Sequence, residues 1–342
     1  MGRKPTVNLT LPPGMRKRVR GKRIYYFYEI GGRPRKELSL GTDYILALRK
    51  YADKHQNEPL PKKILLRDAI TKYRTDVLPT LSANTIRVQL SDLKHVEAFF
   101  KDAPMDEIKP THIARFLANH KDKPTTANRC KRIVSSIWNK ARGWGYTDAP
   151  NPCLGVETHS LPKRTVYITD AVFDAVHAAA PPSLQDALDL AYLTGQRPGD
   201  ALSMSEHDII DGVLTVTQFK TKQPLRIQII GHLNALIERI RARKKILGAA
   251  TSALLVCENG NRMNKQLLSS QFVKARKKAA IDNPELADQI KKFWFYDLRA
   301  KAADDTMEQR GEQAASDLLG HDSIRTTQRH YLRRGKVVAP TK

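Results

Sequence analysis

Hydrophobic positions change their period twice along the chain. Ile24-Tyr25-Tyr26-Phe27-Tyr28-Glu29-Ile30 is β-branched and aromatic and runs into Gly31-Gly32, a hairpin signal. With Met15 to Arg23 before it and Arg33 to Leu40 after it, it predicts a three-stranded sheet. Asp43 then stands where it would cap a helix over Tyr44 to Tyr51. Past a polar, proline-bearing stretch from Asn57 to Lys63, the period lengthens. Ile86, Leu90, Leu93, Val96 and Phe100 recur near 3.6 residues, which predicts a long helix capped by Ser82 or Asn84. Three more helices are expected over Ile64–Leu78, from Pro110 through Ile113, Phe116 and Leu117, and from Pro124 to Arg142. Asn151-Pro152 marks the exit, and a polar, basic joint continues through Pro162-Lys163-Arg164.

The remainder mixes both periods. Thr169 or Asp170 caps a helix through Val172, Phe173 and Val176, and an apolar helix covers Leu184 to Leu193. Val213–Thr217 and Leu225–Ile229 alternate as paired strands, and basic helices follow over Leu233–Leu247 and around Phe272–Lys278. Leu318-Leu319 runs into Gly320, which reads as a helix stop. The fold class is therefore multidomain. A small three-stranded sheet with a helix occupies residues 1–60, a mainly α part residues 61–160, and an α+β part residues 161–342.

Charge narrows the partner. The 342 residues carry 59 Lys plus Arg against 35 Asp plus Glu, a formal net charge of +24. Such an excess points to a polyanion, most often nucleic acid, with a membrane surface as the other option. No apolar run is long enough to span a bilayer, and no signal peptide opens the chain, so a cytoplasmic protein is expected. Cys130, Cys153 and Cys257 lie far apart without metal-ligand spacing, which suggests buried free thiols. There is no P-loop signature either, so neither a metal nor a cofactor is expected.

Candidate chemistry clusters in the last part. In Thr194-Gly195-Gln196-Arg197-Pro198-Gly199-Asp200, Arg197 sits at a helix-to-helix turn, where its guanidinium could grip two phosphate oxygens. Phe293-Trp294-Phe295-Tyr296-Asp297-Leu298-Arg299 places Tyr296 and Arg299 about one helical turn apart. Gly320-His321 and, further on, Thr326-Thr327-Gln328-Arg329-His330-Tyr331 end the series.

These boxes, in this order, resemble those of the tyrosine recombinases, the integrase family that includes the lambdoid phage integrases. The resemblance implies Tyr331 as nucleophile, Arg197 and Arg299 as phosphate clamps, His321 as charge stabiliser and Asp200 as a supporting acid. It also implies a catalytic lysine on the hairpin, matched by Lys220 in its Lys-Thr context, with Lys222 as the alternative. Two departures stand out. Tyr296 occupies a place where histidine is usual, and a phenol is a weak base at neutral pH. The family's tyrosine commonly lies nine positions after the box histidine; here that place is His330, and Tyr331 is one further on. His330 adjoins the phenol and is a candidate for the proton that Tyr296 is poorly suited to accept.

The likeness extends over the whole chain. Residues 1–60 resemble an arm-binding domain, with Arg16, Lys17, Arg18, Arg20, Lys22, Arg23, Arg33 and Arg35 as candidate contacts to arm-type sites. Residues 61–160 resemble a core-binding domain, with Thr125, Thr126, Asn128, Arg129 and Arg132 as candidate contacts. The implied activity is integration and excision of a phage or genomic island through a 3′-phosphotyrosyl intermediate. The implied partners are double-stranded DNA, a homotetramer, an excisionase and a host DNA-bending protein, in the bacterial nucleoid. Two alternatives remain: a recombinase-derived architectural protein with impaired chemistry, and a relaxing enzyme of the type IB topoisomerase kind.

Overall fold

The computed structural model describes residues 11–12, 14–31, 34, 36–56, 63–219, 221–222, 224–335 and 340–341. Three of the candidate residues, Arg33, Arg35 and Lys220, lie outside this set. The chain divides into two compact units, Met1–Leu161 and Pro162–Lys342.

The first unit opens with an antiparallel sheet of β1 (Met15–Arg20), β2 (Arg23–Gly31) and β3 (Lys36–Gly41) in that order. The register pairs Met15 with Tyr28 and Arg20 with Arg23. Helix α1 (Tyr44–Gln56) covers one face, and Asp43 caps it by accepting the Leu46 amide at 2.9 Å. Met15, Tyr26, Leu40 and Ala47 make the small core, and every residue of β1 after Met15 is exposed. Four helices follow: α2 (Leu66–Asp76), α3 (Ala83–Phe100), α4 (Pro110–Asn119) and α5 (Pro124–Gly143). Ser82 is the cap of α3, and the periodic residues Leu93, Val96 and Phe100 turn inward as expected. Trp138 anchors this core at 0 % exposure and donates its indole N–H to the Ala149 carbonyl at 3.1 Å. Cys130 and Cys153 are buried free thiols, and burial pushes them up to about 12 and about 11.

The second unit begins with α6 (Asp170–Ala178), capped by Thr169. Next come α7 (Pro182–Thr194) and the short α8 (Pro198–Ala201). An antiparallel sheet of β4 (Ile209–Ile210), β5 (Val213–Thr217) and β6 (Pro224–Gln228) follows, with Val213 opposite Gln228. The remaining helices are α9 (Gly231–Ile246), α10 (Lys265–Asp282), α11 (Ala287–Lys292), α12 (Asp297–Leu319) and α13 (Ile324–His330). Helix α7 is central: Leu184, Ala187, Leu188, Leu190 and Ala191 are all buried, as is Asp186, which Arg239 and Arg243 neutralise. Helix α12 packs against it and breaks its own regularity at Gly311.

Two glycines set the close approaches that build the site. Gly195 ends α7 at φ +63°, and a Cβ there would meet Leu318 and Leu319 side-chain atoms at 3.1–3.3 Å. Gly320 ends α12 at φ +63°, and its Cβ would meet Gln218 Nε2 at 2.9 Å. The turn after α7, the hairpin after β5 and the end of α12 thus converge at one point. Among the described residues, no helix is long and apolar enough to cross a membrane.

Candidate active site

Arg197 stands at the N-cap of α8, between left-handed Gly195 and Pro198. Its Nη1 donates to Gln218 Oε1 at 2.9 Å and lies 3.7 Å from Asp200 Oδ2. Asp200 is 2 % exposed, and its Oδ1 accepts the Phe219 amide at 2.9 Å. Asp200 therefore does two things: it holds the hairpin strand end and sets a charge beside Arg197.

Gln218 was not among the sequence candidates, yet it is the hub of this corner. It is 0 % exposed. Its Nε2 donates to Gln196 Oε1 at 2.8 Å and to the Leu319 carbonyl at 2.9 Å, while Oε1 also accepts from Thr221 Oγ1 at 2.9 Å. Gln196 in turn donates to the Thr194 and Leu318 carbonyls. The two amides tie together three segments more than 100 residues apart at the extremes. A lone glutamine at a strand end carries no periodic signal, so nothing in the pattern of the chain marks it.

Arg299, on the first turn of α12, is 1 % exposed. Nη1 donates to the Gly195 carbonyl at 2.7 Å, and Nη2 donates to the Leu319 carbonyl at 2.8 Å and to His321 Nε2 at 3.1 Å. Since an arginine only donates, Nε2 must be unprotonated. The imidazole proton is then on Nδ1, which lies 2.8 Å from Thr327 Oγ1. Burial, followed by the nearby charges of Arg299 and Arg197, lowers His321 to about 4. The histidine is neutral at physiological pH.

Tyr331 is buried at 8 % exposure among Ala300, Ala303 and Leu319. Its ring centroid is 5.1 Å from the Arg299 guanidinium and 5.1 Å from the His321 ring. Its hydroxyl is 2.8 Å from that of Tyr296. Burial alone would raise the Tyr331 phenol. The Tyr296 hydrogen bond and the charges of Arg299 and Arg197 outweigh it and bring the group below its ordinary range. Tyr296 moves the other way, up to about 12, through burial and the influence of Tyr331.

The extra residue between His321 and Tyr331 is absorbed at a helix end. Helix α13 stops at His330, and Tyr331 leaves it with φ −122° and ψ −29°. Its amide still binds the Thr327 carbonyl at 2.8 Å. Buried Thr327 thus holds both His321, through its hydroxyl, and Tyr331, through its carbonyl. His330 is exposed, and among the described residues no hydrogen bond joins it to the phenol. Lys222 is exposed near the hairpin tip.

A cleft of about 900 Å³ opens above these groups, lined by Arg197, Tyr296, His321 and Tyr331, with Arg164 and Arg329 also in its wall. Among the described residues, no three His, Cys, Asp or Glu side chains gather to hold a metal ion.

The candidate contacts of the first unit are more dispersed. Lys17, Arg20, Lys22 and Arg23 are exposed on β1, β2 and the turn between them. Arg16 pairs with Glu29 at 2.5 Å and Arg18 with Glu37 at 2.7 Å. On α5, Thr125 and Arg132 are exposed. Arg129, however, grips the buried Asp92 carboxylate with two bonds of 2.9 Å, and it also donates to Thr126 Oγ1 at 3.3 Å. Asn128 is 4 % exposed, and its amide exchanges two hydrogen bonds with the His159 backbone.

Comparison with known proteins agrees with this geometry. Residues 168–336 match the phage integrase family. The integrase of Escherichia phage lambda is 27 % identical over 339 residues, covering 92 % of this chain and 91 % of that protein. The integrase of Enterobacteria phage 434 is equally similar, at 27 % over 340 residues, 92 % of this chain and 91 % of that protein. The fold is shared with a lambda integrase dimer solved on a COC′ core site, at a TM-score of 0.70 and 23 % identity, with 97 % and 98 % of the two chains covered. A buried tyrosine beside Arg299, His321 and Tyr296, on a chain that is similar to the lambda-type integrases over nearly its full length and matches the phage integrase family over residues 168–336, supports a tyrosine-type site-specific recombinase.

Proposed function

We propose that Tyr331 attacks a phosphodiester of double-stranded DNA, forms a 3′-phosphotyrosyl bond and releases a 5′ hydroxyl. The convergence of Arg197, His321 and Tyr331 on one cleft, from segments up to 134 residues apart, with buried Arg299 against His321 and the Tyr331 ring, is the observation that carries this reading. As the phosphate becomes pentacovalent, charge accumulates on its non-bridging oxygens. Arg197 and Arg299 offer fixed guanidinium donors to that charge, and the backbone bonds of Arg299 hold its fork in place beforehand. The Tyr296 hydroxyl lies 2.8 Å from that of Tyr331, and a hydrogen bond donated by Tyr296 would favour the Tyr331 phenolate. Lys220 is assigned the proton for the leaving 5′ oxygen on the sequence motif. The phosphotyrosine keeps the energy of the diester, so a hydroxyl from another strand can reverse the step and complete exchange.

The same reading extends to partners. Lambda integrase has been solved as a dimer on a core site and as a tetramer on a Holliday junction. By that likeness this chain acts as a homotetramer on paired attachment sites of a phage or genomic island. Residues 1–60 bind arm-type sites, residues 61–160 bind core-type sites, and residues 161–342 carry the chemistry. An excisionase and a host bending protein are then its partners in the nucleoid.

A nicked suicide duplex carrying the core site tests the chemistry. The expected result is a denaturation-resistant protein–DNA adduct that disappears in Tyr331→Phe. An adduct that survives this substitution would overturn the assignment.

A further inference from the structure

One buried carboxylate joins the segment that enters the second unit to the segment that leaves Tyr331. Asp297 is 0 % exposed. Arg164 donates Nε to its Oδ1 at 2.8 Å and Nη2 to its Oδ2 at 2.5 Å. Arg333, two residues after Tyr331, donates Nη1 to the same Oδ1 at 2.7 Å. The Trp294 amide binds Oδ2 at 2.8 Å. Each arginine is also held elsewhere. Arg164 donates to the Lys292 carbonyl and lies 3.9 Å from the Trp294 ring centroid. Arg333 reaches the Val166 carbonyl at 2.6 Å, and its amide binds both Asp304 oxygens at 3.0 and 3.1 Å.

These bonds close a ring around the nucleophile. Tyr331 leads through Leu332 to Arg333, Arg333 binds Asp297, Asp297 adjoins Tyr296, and Tyr296 returns to the Tyr331 hydroxyl. Beyond Arg333, Arg334 lies 4.9 Å from the Tyr167 ring, a second tie between exit and entry, and pairs with Glu308 on α12. Without the Arg333 side chain, residues 331–334 would keep only the backbone bonds to Asp304 and the Arg334 pairing with Glu308 as ties to α12.

The two arms are unequal. Both border the cleft, but the Arg333 side chain is 5 % exposed, whereas that of Arg164 is 25 % exposed. Removing Arg164 leaves Asp297 still neutralised by Arg333, so its release strands no buried charge. Removing Arg333 leaves the carboxylate on the half-open arm alone. A phosphate entering the cleft would also compete with Asp297 for Arg164.

We propose that Asp297 is a positioning residue that seats Tyr331, and that Arg164 is the releasable arm through which the segment joining the two units controls that seating. This rests on Tyr331 being the nucleophile. A side chain misplaced by about 1 Å costs on the order of 100-fold in rate, so small losses of seating are measurable.

The test uses the full chain with Arg333→Gln, Arg333→Lys, Arg164→Gln and the Arg164→Gln/Arg333→Gln double variant, each with and without 3-fluorotyrosine at position 331. Two quantities are read: the adduct-forming rate at saturating nicked duplex, and the pH titration of the fluorotyrosine by 19F NMR. Arg333→Gln is expected to slow the saturated rate about 30-fold, with Arg333→Lys recovering part of it. Arg164→Gln is expected to slow it about fivefold. The double variant should depart from the product of the two single effects, because both act through one carboxylate. The concentration of duplex at half-saturation should change little. In each slowed variant the fluorotyrosine should titrate nearer to the free amino acid, since it has left Tyr296 and Arg299.

Unchanged rates, effects that multiply, or slowed rates with an unmoved 19F titration would each overturn the proposal. If Arg333→Gln does not fold, Arg164→Gln carries the same two readouts, and an unchanged rate or an unmoved titration there overturns the proposal by itself. Tyr331→Phe separates the two levels. An adduct from that variant refutes the nucleophile itself, whereas its loss alongside normal arginine variants refutes only the seating role.

Discussion

The cleft around Tyr331 and the outer face of α5 were both picked out by the same kind of residue, yet the fold uses them differently. In the cleft, Arg299 and His321 point at each other and at the phenol. On α5, Arg129 and Asn128 turn back into the protein, one to buried Asp92 and the other to the His159 backbone. A catalytic arginine is recognisable because a motif fixes its neighbours as well as itself. An arginine on a helix face has no such context, and tying two helices together needs the same guanidinium that gripping a phosphate does.

Arg299→Ala should show the largest effect in the cleft. It removes a preorganised donor and takes its bond from the Gly195 carbonyl, while the Leu319 carbonyl keeps its bond from Gln218. Adduct formation should fall about 1,000-fold or more at saturating DNA. A loss below about tenfold would place Arg299 in the scaffold rather than the chemistry.

The α5 counterpart is Arg129→Ala. It leaves the Asp92 carboxylate, 2 % exposed, without its cation. Removing one partner of a buried pair is costly, and with Arg129 itself 38 % exposed the expected destabilisation is about 2–3 kcal/mol. Urea denaturation of wild type and variant would measure it. A stable variant that has lost core-site affinity would show instead that the cleft and the helix face are built alike.

How far the chain can be read from its sequence follows the same division. The caps at Asp43, Ser82 and Thr169 and the stop at Gly320 stand where short polar residues and glycine signalled them. Local backbone chemistry decides those positions. The strands and helices also follow their periods, although the helix expected from Ile64 starts at Leu66, because the Ile64 carbonyl and the Leu66 amide bind residues 103–105 instead. Gln218, Thr327 and Asp297 were missed as parts of the site. Their partners lie across the fold, and a buried glutamine, threonine or aspartate looks like a solvated one until those partners arrive. The unusual spacing to Tyr331 was visible, but its resolution was not: whether a loop, a helix phase or a helix end takes up one residue depends on where Thr327 is anchored.

His321 offers a smaller test within the cleft. Its pKa is lowered to about 4 in the folded chain, against an ordinary value of about 6.5. The unfolded chain binds more protons between those values, so stability rises with pH across that window. The contribution is fully present above about 6.5 and is lost as pH falls toward 4. With partial exposure discounted, it amounts to about 2 kcal/mol. The denaturation midpoint of wild type should drop more steeply than that of His321→Gln between pH 7 and pH 4.5. Parallel curves would mean that His321 is not held neutral against Arg299.

The smallest effect belongs to residues the fold leaves free. Arg132 is exposed on α5 next to buried Ile133, and its Nε makes a long bond of 3.4 Å to the Asn128 carbonyl. Arg132→Ala should leave stability within about 0.5 kcal/mol of wild type. If it meets a phosphate, core-site affinity should weaken by about 1 kcal/mol, and the salt dependence of binding should lose roughly one counterion. That signature, weaker binding with a shallower salt slope and no loss of stability, is the inverse of the one expected for Arg129. Finding it at Arg132 and not at Arg129 would divide the basic residues of α5 into those that hold the helices together and those that hold DNA. Finding it at neither would move the DNA contacts of the first unit to the exposed Lys17, Arg20, Lys22 and Arg23.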